Sequence, residues 1–383
     1  MKVCFVSSYP PEKGNLAEYA FHLVEELKKS RKIKRLIILA NKALHPEKEK
    51  KGKVMIVRCW RTDSLLLPLN ILRNIIKHKP DLVFFNCHMM SWGKNLVANF
   101  FGALLPFISR KIFNYKVIVI LHNIVEAVDL DKLGIKPSKL NLFGSYLATK
   151  SLLSADRVIV TLRSFVSLLR RKYNRNNIIH IPHGTLGKKV KKPRVGGKTI
   201  LVFGFWRGGK NLPLIIEAFQ ELRKKDRSLK LIVAGSSHPN FPGYLERMRK
   251  EYEKSGNILF TGYISPEELD KVFLPSTVVV LPYTAATGTS GVIHLAASYG
   301  KPIVASDLPE IRETAEDEGF SVSFIPVNDK EALKLAIERI IKSRKLQESM
   351  GRRNLKAAEN LSFSVISRKY LDTSLEILGD REI

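Results

Sequence analysis

Two cations separated by two glycines stand in the segment LVFGFWRGGKNLPLIIEAF, residues 201 to 219, where a short apolar run ends and an amphipathic pattern begins. Arg207 is a planar, permanently charged fork of donors and Lys210 a compact ammonium. Together they can clamp a diphosphate whose negative charge grows as its bond to a sugar breaks. A solvated basic loop is the other reading of the same residues. A second constellation is TGTSG, running Thr287, Gly288, Thr289, Ser290, Gly291, directly before an apolar helical stretch that continues with Val292. Backbone N–H groups, the hydroxyl of Thr289 or Ser290 and a helix dipole converge there, which suits a phosphate. Simple N-capping uses the same donors and is compatible with that use. A third is PPEKGN, residues 10 to 15, where Gly14 and Asn15 sit between a strand pattern and a helix pattern. Glycine there lets backbone approach a ligand, although a plain tight turn also accounts for it. His122, in VILHN at a strand end, can exchange a proton near neutral pH, bond a sugar hydroxyl, or be a satisfied structural histidine.

Other chemistries lose support. The dinucleotide fingerprint GxGxxG is absent, as are GxSxG and HExxH, and the lysines of KPSKLN and GGKT lack the glycine frame of a phosphate-binding loop. His180 and His183 flank Ile-Pro without a third ligand at suitable spacing, so they are assigned to a hinge and not to a metal. Cys4, Cys59 and Cys87 are too few and too scattered for a disulfide framework or a thiolate zinc site.

The elements that would position these residues alternate. Runs at 2–8, 35–41, 54–60, 81–87, 116–123, 157–162 and 177–184 are short, apolar and rich in Val and Ile, and read as strands. Segments such as 16–29 and 139–155 repeat apolar residues near every 3.6 positions and read as helices. The stretch GTLGKKVKKPRVGGK reads as a linker, after which a second cycle supplies strands at 199–204, 229–235, 257–262, 277–283 and 301–307. The expected fold class is α/β: two Rossmann-like, doubly wound parallel-sheet domains facing across a cleft at their strand C-termini. Domain one is expected at 1–186, a linker at 187–198, domain two at 199–361, and a last helix at 362–383 packing back on the first domain. From 329 to 378 the pattern is helical, with breaks near Ser343 and near 362–364.

The 383 residues carry a net charge of +28, divided unequally. Residues 1–200 hold 38 Lys and Arg against 12 Asp and Glu, and 201–383 hold 26 against 24. That asymmetry points the first half at a polyanion, an anionic membrane and not nucleic acid, for which no binding motif accompanies the charge, with solubility at high temperature as the alternative. Two glutamines, Gln220 and Gln347, hint at a thermophilic source. No apolar run of spanning length occurs, and the opening MKVCFVSSYPPEKGN reads as a first strand and not a signal peptide, so a cytoplasmic protein is expected.

The ordered segments VSSYPPEKGNLAEYAFHLVEEL, SADRVIV, HIPHG, GFWRGGKNLPLIIEAF, NILFTGYISPEEL, VVVLPY and GKPIVASDLPEIRE resemble the glycosyltransferases of family four, which are retaining enzymes of the GT-B fold. The resemblance spans nearly the whole chain. It implies a diphosphate clamp at Arg207 and Lys210, contacts to the nucleotide base at Gly262 and Tyr263, and donor phosphates and sugar at the loop Thr287 to Val292. Where the family carries paired glutamates this sequence has Thr287 and Leu295, like a branch whose loop reads ATxSGV, so ribose passes to another group such as His294 or Glu268. Asn15 stands where a second glycine is common, and His183 where asparagine often stands.

The resulting expectation is a glycosyltransferase moving a sugar from a UDP-, GDP- or ADP-sugar to a hydroxyl acceptor, lipid-linked or glycan, with retention. His122, Arg207 and Lys210 are its catalytic candidates. No metal or other cofactor is required, because two side-chain cations and a helix N-terminus supply the positive charge. The stretches 65–79 and 96–116 are expected to dock on an anionic inner membrane face or to cover the sheet as ordinary helices. A non-catalytic subunit that binds a sugar nucleotide and a sugar-nucleotide epimerase are the alternatives.

Overall fold

Strands with apolar residues at consecutive positions have no polar face, so they are stable only where helices cover both sides of their sheet. The computed structural model describes residues 1–42, 48–127, 138–185, 190–238, 241–252 and 256–379. They divide into two units, one of Met1–His183 with Phe363–Ile383 and one of Gly184–Ser362.

In the first unit eight strands form one sheet: β1 (Lys2–Val6), β2 (Arg35–Asn41), β3 (Lys48–Lys51), β4 (Val54–Trp60), β5 (Leu82–Cys87), β6 (Lys116–Leu121), β7 (Arg157–Val160) and β8 (Ile178–His180). Their order is β3-β4-β2-β1-β5-β6-β7-β8, so the direction of winding reverses between β1 and β5. Every pairing is parallel except β3 with β4, where Lys48 lies opposite Val57 and Lys51 opposite Val54. The strand β3, KEKK, has no apolar residue to betray it and is fully exposed. It is a charged edge that offers little to a further strand. Around the sheet lie α1 (Asn15–Leu27), α2 (Leu67–His78), α3 (Leu96–Ala103), the single turn α4 (Leu105–Phe107) leading into a π-helical turn at Ile108–Ile112, α5 (Lys139–Leu152) and α6 (Arg163–Tyr173). Right-handed crossovers place α1 on one face and α2 to α6 in succession on the other. On that second face Leu67, Ile71 and Ile75 of α2 and Phe165 and Leu169 of α6 join strand residues Cys4, Ile37, Val83 and Val119 in one core cluster. All three cysteines are buried and unpaired. Burial raises their thiols, Cys59 and Cys87 to about 12.

The second unit is wholly parallel: β9 (Thr199–Phe203), β10 (Lys230–Ala234), β11 (Ile258–Gly262), β12 (Val278–Leu281), β13 (Ile303–Ser306) and β14 (Val322–Ile325), in the order β11-β10-β9-β12-β13-β14. Here the winding reverses between β9 and β12. Among the described residues seven helices cover the sheet: α7 (Leu212–Lys225), α8 (Tyr244–Tyr252), α9 (Leu269–Phe273), α10 (Gly291–Ser298), α11 (Pro309–Glu318), α12 (Lys330–Lys342) and α13 (Arg344–Asn360). Side chains of Asp329 and Ser343 cap α12 and α13 by accepting from Ala332 N and Leu346 N. Residues 190–198, which composition marks as linker, are built into this unit. Gly196 N donates to Gln347 Oε1 at 2.7 Å, and Pro193 fills the space beside Gly300 and Gly351. The lysines there are exposed, which is why the segment reads as solvated.

The chain then returns to the first unit as α14 (Phe363–Leu378), which packs against α1. At the contact the hydroxyls of Tyr19 and Tyr370 lie 2.8 Å apart, both rings wholly buried. Among the described residues no helix is long and apolar enough to cross a membrane. Removing one hydroxyl of the tyrosine pair leaves the other unsatisfied, so Tyr370→Phe is expected to cost about 1–3 kcal/mol. Tyr19→Phe with Tyr370→Phe should cost less than the sum of the single changes, as read by urea unfolding.

Candidate functional site

In parallel sheets ligands gather beyond the strand C-termini where the winding reverses. In the second unit that point lies between β9 and β12, and it is where Arg207 and Lys210 are held. The holding begins with glycine. Gly204 ends β9 with φ +138°, and a Cβ built on Gly235 would lie 1.9 Å from the Gly204 carbonyl oxygen. Two strand ends therefore touch backbone to backbone. Beyond them Trp206 is buried and fixed from both sides: its N–H donates to Ser236 O at 2.8 Å, its indole to Ala234 O at 3.0 Å, and its carbonyl accepts from His238 N at 2.9 Å. This anchor sets the direction of the turn Arg207–Lys210, whose Gly209 carbonyl is bonded by Thr284 N at 3.0 Å. The loops after β9 and β12 are thereby joined.

Lys210 folds back over Gly204, its Nζ standing 2.3 Å from where a Cβ would be. It donates to the Tyr283 hydroxyl at 3.3 Å and lies 5.0 Å from the Tyr283 ring centre and 5.9 Å from that of Trp206. Aromatic faces attract an ammonium without neutralising it, so the charge is aimed and preserved. Arg207 is half-buried; burial lowers its pKa, Tyr283 opposes that, and the guanidinium stays charged.

Val292 of α10 lies close by, its Cγ2 3.9 Å from the same point beside Gly204, so the helix start and the cation turn meet. Thr287, Gly288, Thr289, Ser290 and Gly291 are half-buried at this end of α10. Ser290 occupies the capping position yet makes no side-chain capping bond. Its carbonyl accepts from Ile293 N at 3.2 Å and from His294 Nδ1 at 3.0 Å. Leu295, in the place of a family glutamate, is in the core. His294, named above for ribose, is wholly buried, its Nε2 2.6 Å from Glu318 Oε2, a carboxylate with 3% side-chain exposure. It serves the protein interior and does not present itself to a ligand. Burial lowers its pKa, but the Glu318 carboxylate and the Ser290 carbonyl outweigh that and raise it, so both ring nitrogens donate. Glu268 is tied to Lys271 and Ser265. Gly262, with φ +74° and its carbonyl accepting from Gly235 N at 2.9 Å, and the half-buried Tyr263 lie at the end of β11, two strands from the reversal.

In the first unit the reversal lies between β1 and β5. Gly14, φ +142°, precedes α1, where Asn15 is the first helical residue and is exposed. The loop is held by residues that sequence reasoning passed over. Arg58, buried in β4, donates from Nη2 to Pro10 O at 2.7 Å, and Asn41 Nδ2 donates to Glu12 Oε2 at 2.9 Å. Asn86, next to last in β5, donates from Nδ2 to Ser7 Oγ at 2.9 Å and to Leu16 O at 3.3 Å. Its Oδ1 accepts from His122 Nε2 at 2.7 Å, which leaves His122 Nδ1 as an acceptor. Burial, reinforced by His183 and His88, holds His122 neutral, its pKa well below the usual range. Tyr19 packs edge-on against both His122 and His183, while His180 Nε2 lies 3.2 Å from Thr161 O. Among the described residues no three His, Cys, Asp or Glu side chains are grouped to hold a metal ion. The signal for the missed residues was a polar residue inside an otherwise apolar strand, as in VMIVRCW and DLVFFNC.

Two expectations follow from this packing. Gly235→Ala meets backbone and should cost more than about 3 kcal/mol, whereas Gly204→Ala meets the movable end of Lys210 and should cost about 1–3 kcal/mol, compared by urea unfolding. His294, its pKa raised on folding, adds stability that is complete below the ordinary value near 6.5 and is lost as pH rises through the raised value. His294→Leu alone strands the buried Glu318 carboxylate and should cost about 3–5 kcal/mol, and the pH dependence should vanish only when Glu318→Gln is added, measured as unfolding free energy from pH 6 to 9.

Residues 187–357 match the family model Glycosyl transferases group 1. An alpha-monoglucosyldiacylglycerol synthase from Streptococcus pneumoniae is 25% identical over 134 residues, which are 35% of this chain and 30% of that protein. The match thus spans under a third of the curated relative. Sucrose-phosphate synthase from Thermosynechococcus elongatus superposes with a TM-score of 0.76 at 17% identity, covering 99% of this chain and 100% of that one. Anabaena HepE in complex with UDP and glucose superposes with a TM-score of 0.68 at 16% identity, covering 97% and 99%. The fold is the two-sheet α/β architecture of the GT-B glycosyltransferases, and with the match over 187–357 it supports a glycosyltransferase enzyme.

Proposed function

We propose that this chain is a retaining glycosyltransferase of family four that moves a sugar from a nucleotide-diphosphate donor to a hydroxyl acceptor. The observation that carries the reading is the meeting, at the β9/β12 reversal, of Lys210, in the turn that Arg207 begins, with the start of α10. Cleavage of the donor leaves charge on the diphosphate, and preorganised cations with a helix N-terminus stabilise that charge more than they stabilise the ground state. Lys210, aimed by Trp206 and Tyr283, takes one phosphate and Arg207 the other, with Ser290 and the backbone from Thr287 to Val292 completing the set. Gly262 and Tyr263 take the base. In the first unit His122 offers the lone pair of Nδ1 to a sugar hydroxyl, with Gly14 and Asn15 beside the start of α1. A neutral His122 accepts a hydrogen bond and gives up no proton near pH 7.

The HepE neighbour solved with UDP-glucose favours a uridine donor, the synthase relative, named for a glucosyldiacylglycerol, favours a lipid-linked acceptor, and the basic first half favours an anionic inner membrane face as its place. Leu295 in the core and Thr287 in place of the family glutamates favour, as a second reading, a subunit that binds a sugar nucleotide without turning it over.

The test is thermal stabilisation by UDP, GDP, ADP and their common sugar conjugates. A ligand at a hundred times its Kd adds about 2.7 kcal/mol, which one base family should show. Arg207→Ala and Lys210→Ala should each weaken binding by at least about tenfold, the loss of a charge-assisted bond. No shift with any nucleotide would sink the donor reading. A shift without turnover on any acceptor would move the chain to the binding-subunit reading.

A further inference from the structure

A helix that covers a sheet needs one apolar stripe. In the first unit α2 has two. Leu67, Ile71 and Ile75 enter the core, while Leu66, Leu69 and Ile76 form a second stripe on the outside, with Leu66 63% and Leu69 59% exposed. The neighbouring helices repeat the pattern. Leu96, Val97 and Phe101 stand in water on or beside α3, and Leu140, Leu142 and Phe143 on α5, Leu140 78% exposed. α3 packs against both α2 and α5, so the three outer surfaces adjoin.

The charges carried by these three segments have one sign, although the exposed Asp63 borders the start of α3. Residues 65–79, 96–116 and 138–155, which make up α2, α3 with α4 and the π-turn, and α5, contain no Asp or Glu. They contain Arg73 and Lys77 on α2, Lys111 in the π-turn, and Lys139 and Lys150 on α5, all exposed. Large apolar area left in water marks an interaction surface. A protein partner of mixed charge would not call for the removal of every acid from three successive elements. An anionic leaflet would, because its headgroups attract the cations while the apolar side chains enter the acyl boundary.

We propose that the outer face of α2, α3 and α5 is the membrane-docking surface of this chain and that its occupant is a bilayer containing anionic lipid. The proposal rests on the membrane partner named in the proposed function and assigns it to residues. It also adds α5 to the two stretches that the sequence pattern singled out.

The test is co-sedimentation of the full chain with vesicles of phosphatidylglycerol and phosphatidylcholine in equal parts, against phosphatidylcholine alone. Binding is expected only to the anionic vesicles and should weaken with salt. Leu69→Ser with Phe143→Ser should reduce the partition coefficient at least tenfold, and Lys111→Gln with Lys139→Gln by about fivefold for each lysine removed. The control Lys224→Gln with Lys225→Gln, on exposed residues of α7, should leave it unchanged. Failure of the intact chain to sediment with anionic vesicles at low salt overturns the proposal, as does equal loss in the control. A concentration-dependent dimer abolished by Leu69→Ser with Phe143→Ser would give the face to a second copy of the chain and overturn it as well. Thermal stabilisation by nucleotides, measured on the same variants, keeps the two readings apart. A surviving shift without vesicle binding sinks the docking face alone, and vesicle binding without a shift sinks the donor site alone.

Discussion

The approach of Gly235 to the carbonyl of Gly204 is the constraint on which the second unit's candidate site depends. With no side chain at either position, the ends of β9 and β10 close to backbone contact, and the loop after β9 can lean on the loop after β10 through Trp206. Leaning that way turns Arg207 and Lys210 toward β12 and α10. A side chain at 235 would part the strand ends and leave the two cations on a loop with no fixed direction. Electrostatic stabilisation depends on charges that need not reorganise when the reaction happens. Two glycines thus fix the aim of both cations without offering a side chain to the candidate site.

The same residue type serves opposite ends in the two units. His122 has an amide oxygen on Nε2, and burial keeps it neutral, so Nδ1 carries a lone pair. His294 has a carbonyl on one nitrogen and a carboxylate on the other, and burial cannot keep it from holding its proton. One is left with an acceptor nitrogen, and the other is an internal clamp between the cap of α10 and the end of α11. Sequence alone offers no means of telling them apart, since each is a histidine beside apolar residues.

What the sequence did disclose follows from periodicity. The apolar strands and the alternation of helix and strand were legible, because burial on both faces forces a continuous apolar run. The strands β3 and β14 were not. KEKK forms only because β4 offers it an antiparallel partner, and VSFI carries a serine in an edge strand. Residues 190–198 read as linker for a similar reason: Lys191, Lys192 and Lys198 face water while Pro193 and Gly196 pack inward. At the site, Arg207, Lys210 and the TGTSG loop were legible because charge and glycine stand next to each other in the chain. Asn86, Arg58, Trp206 and Glu318 were not, because each acts through a partner tens of residues away. His294 stands beside Glu268 as a ribose candidate in the sequence for want of that information.

The three cysteines are all in the first unit, all buried, and all pushed toward the protonated form. A thiol reacts as its thiolate, so in the folded chain none is a ready target for oxidants or alkylating reagents. Opening of the first unit returns the thiols to water and to ordinary acidity. Opening of the second unit alone exposes none. Cysteine reactivity in this protein is therefore a built-in reporter of one half of the molecule and is silent about the other.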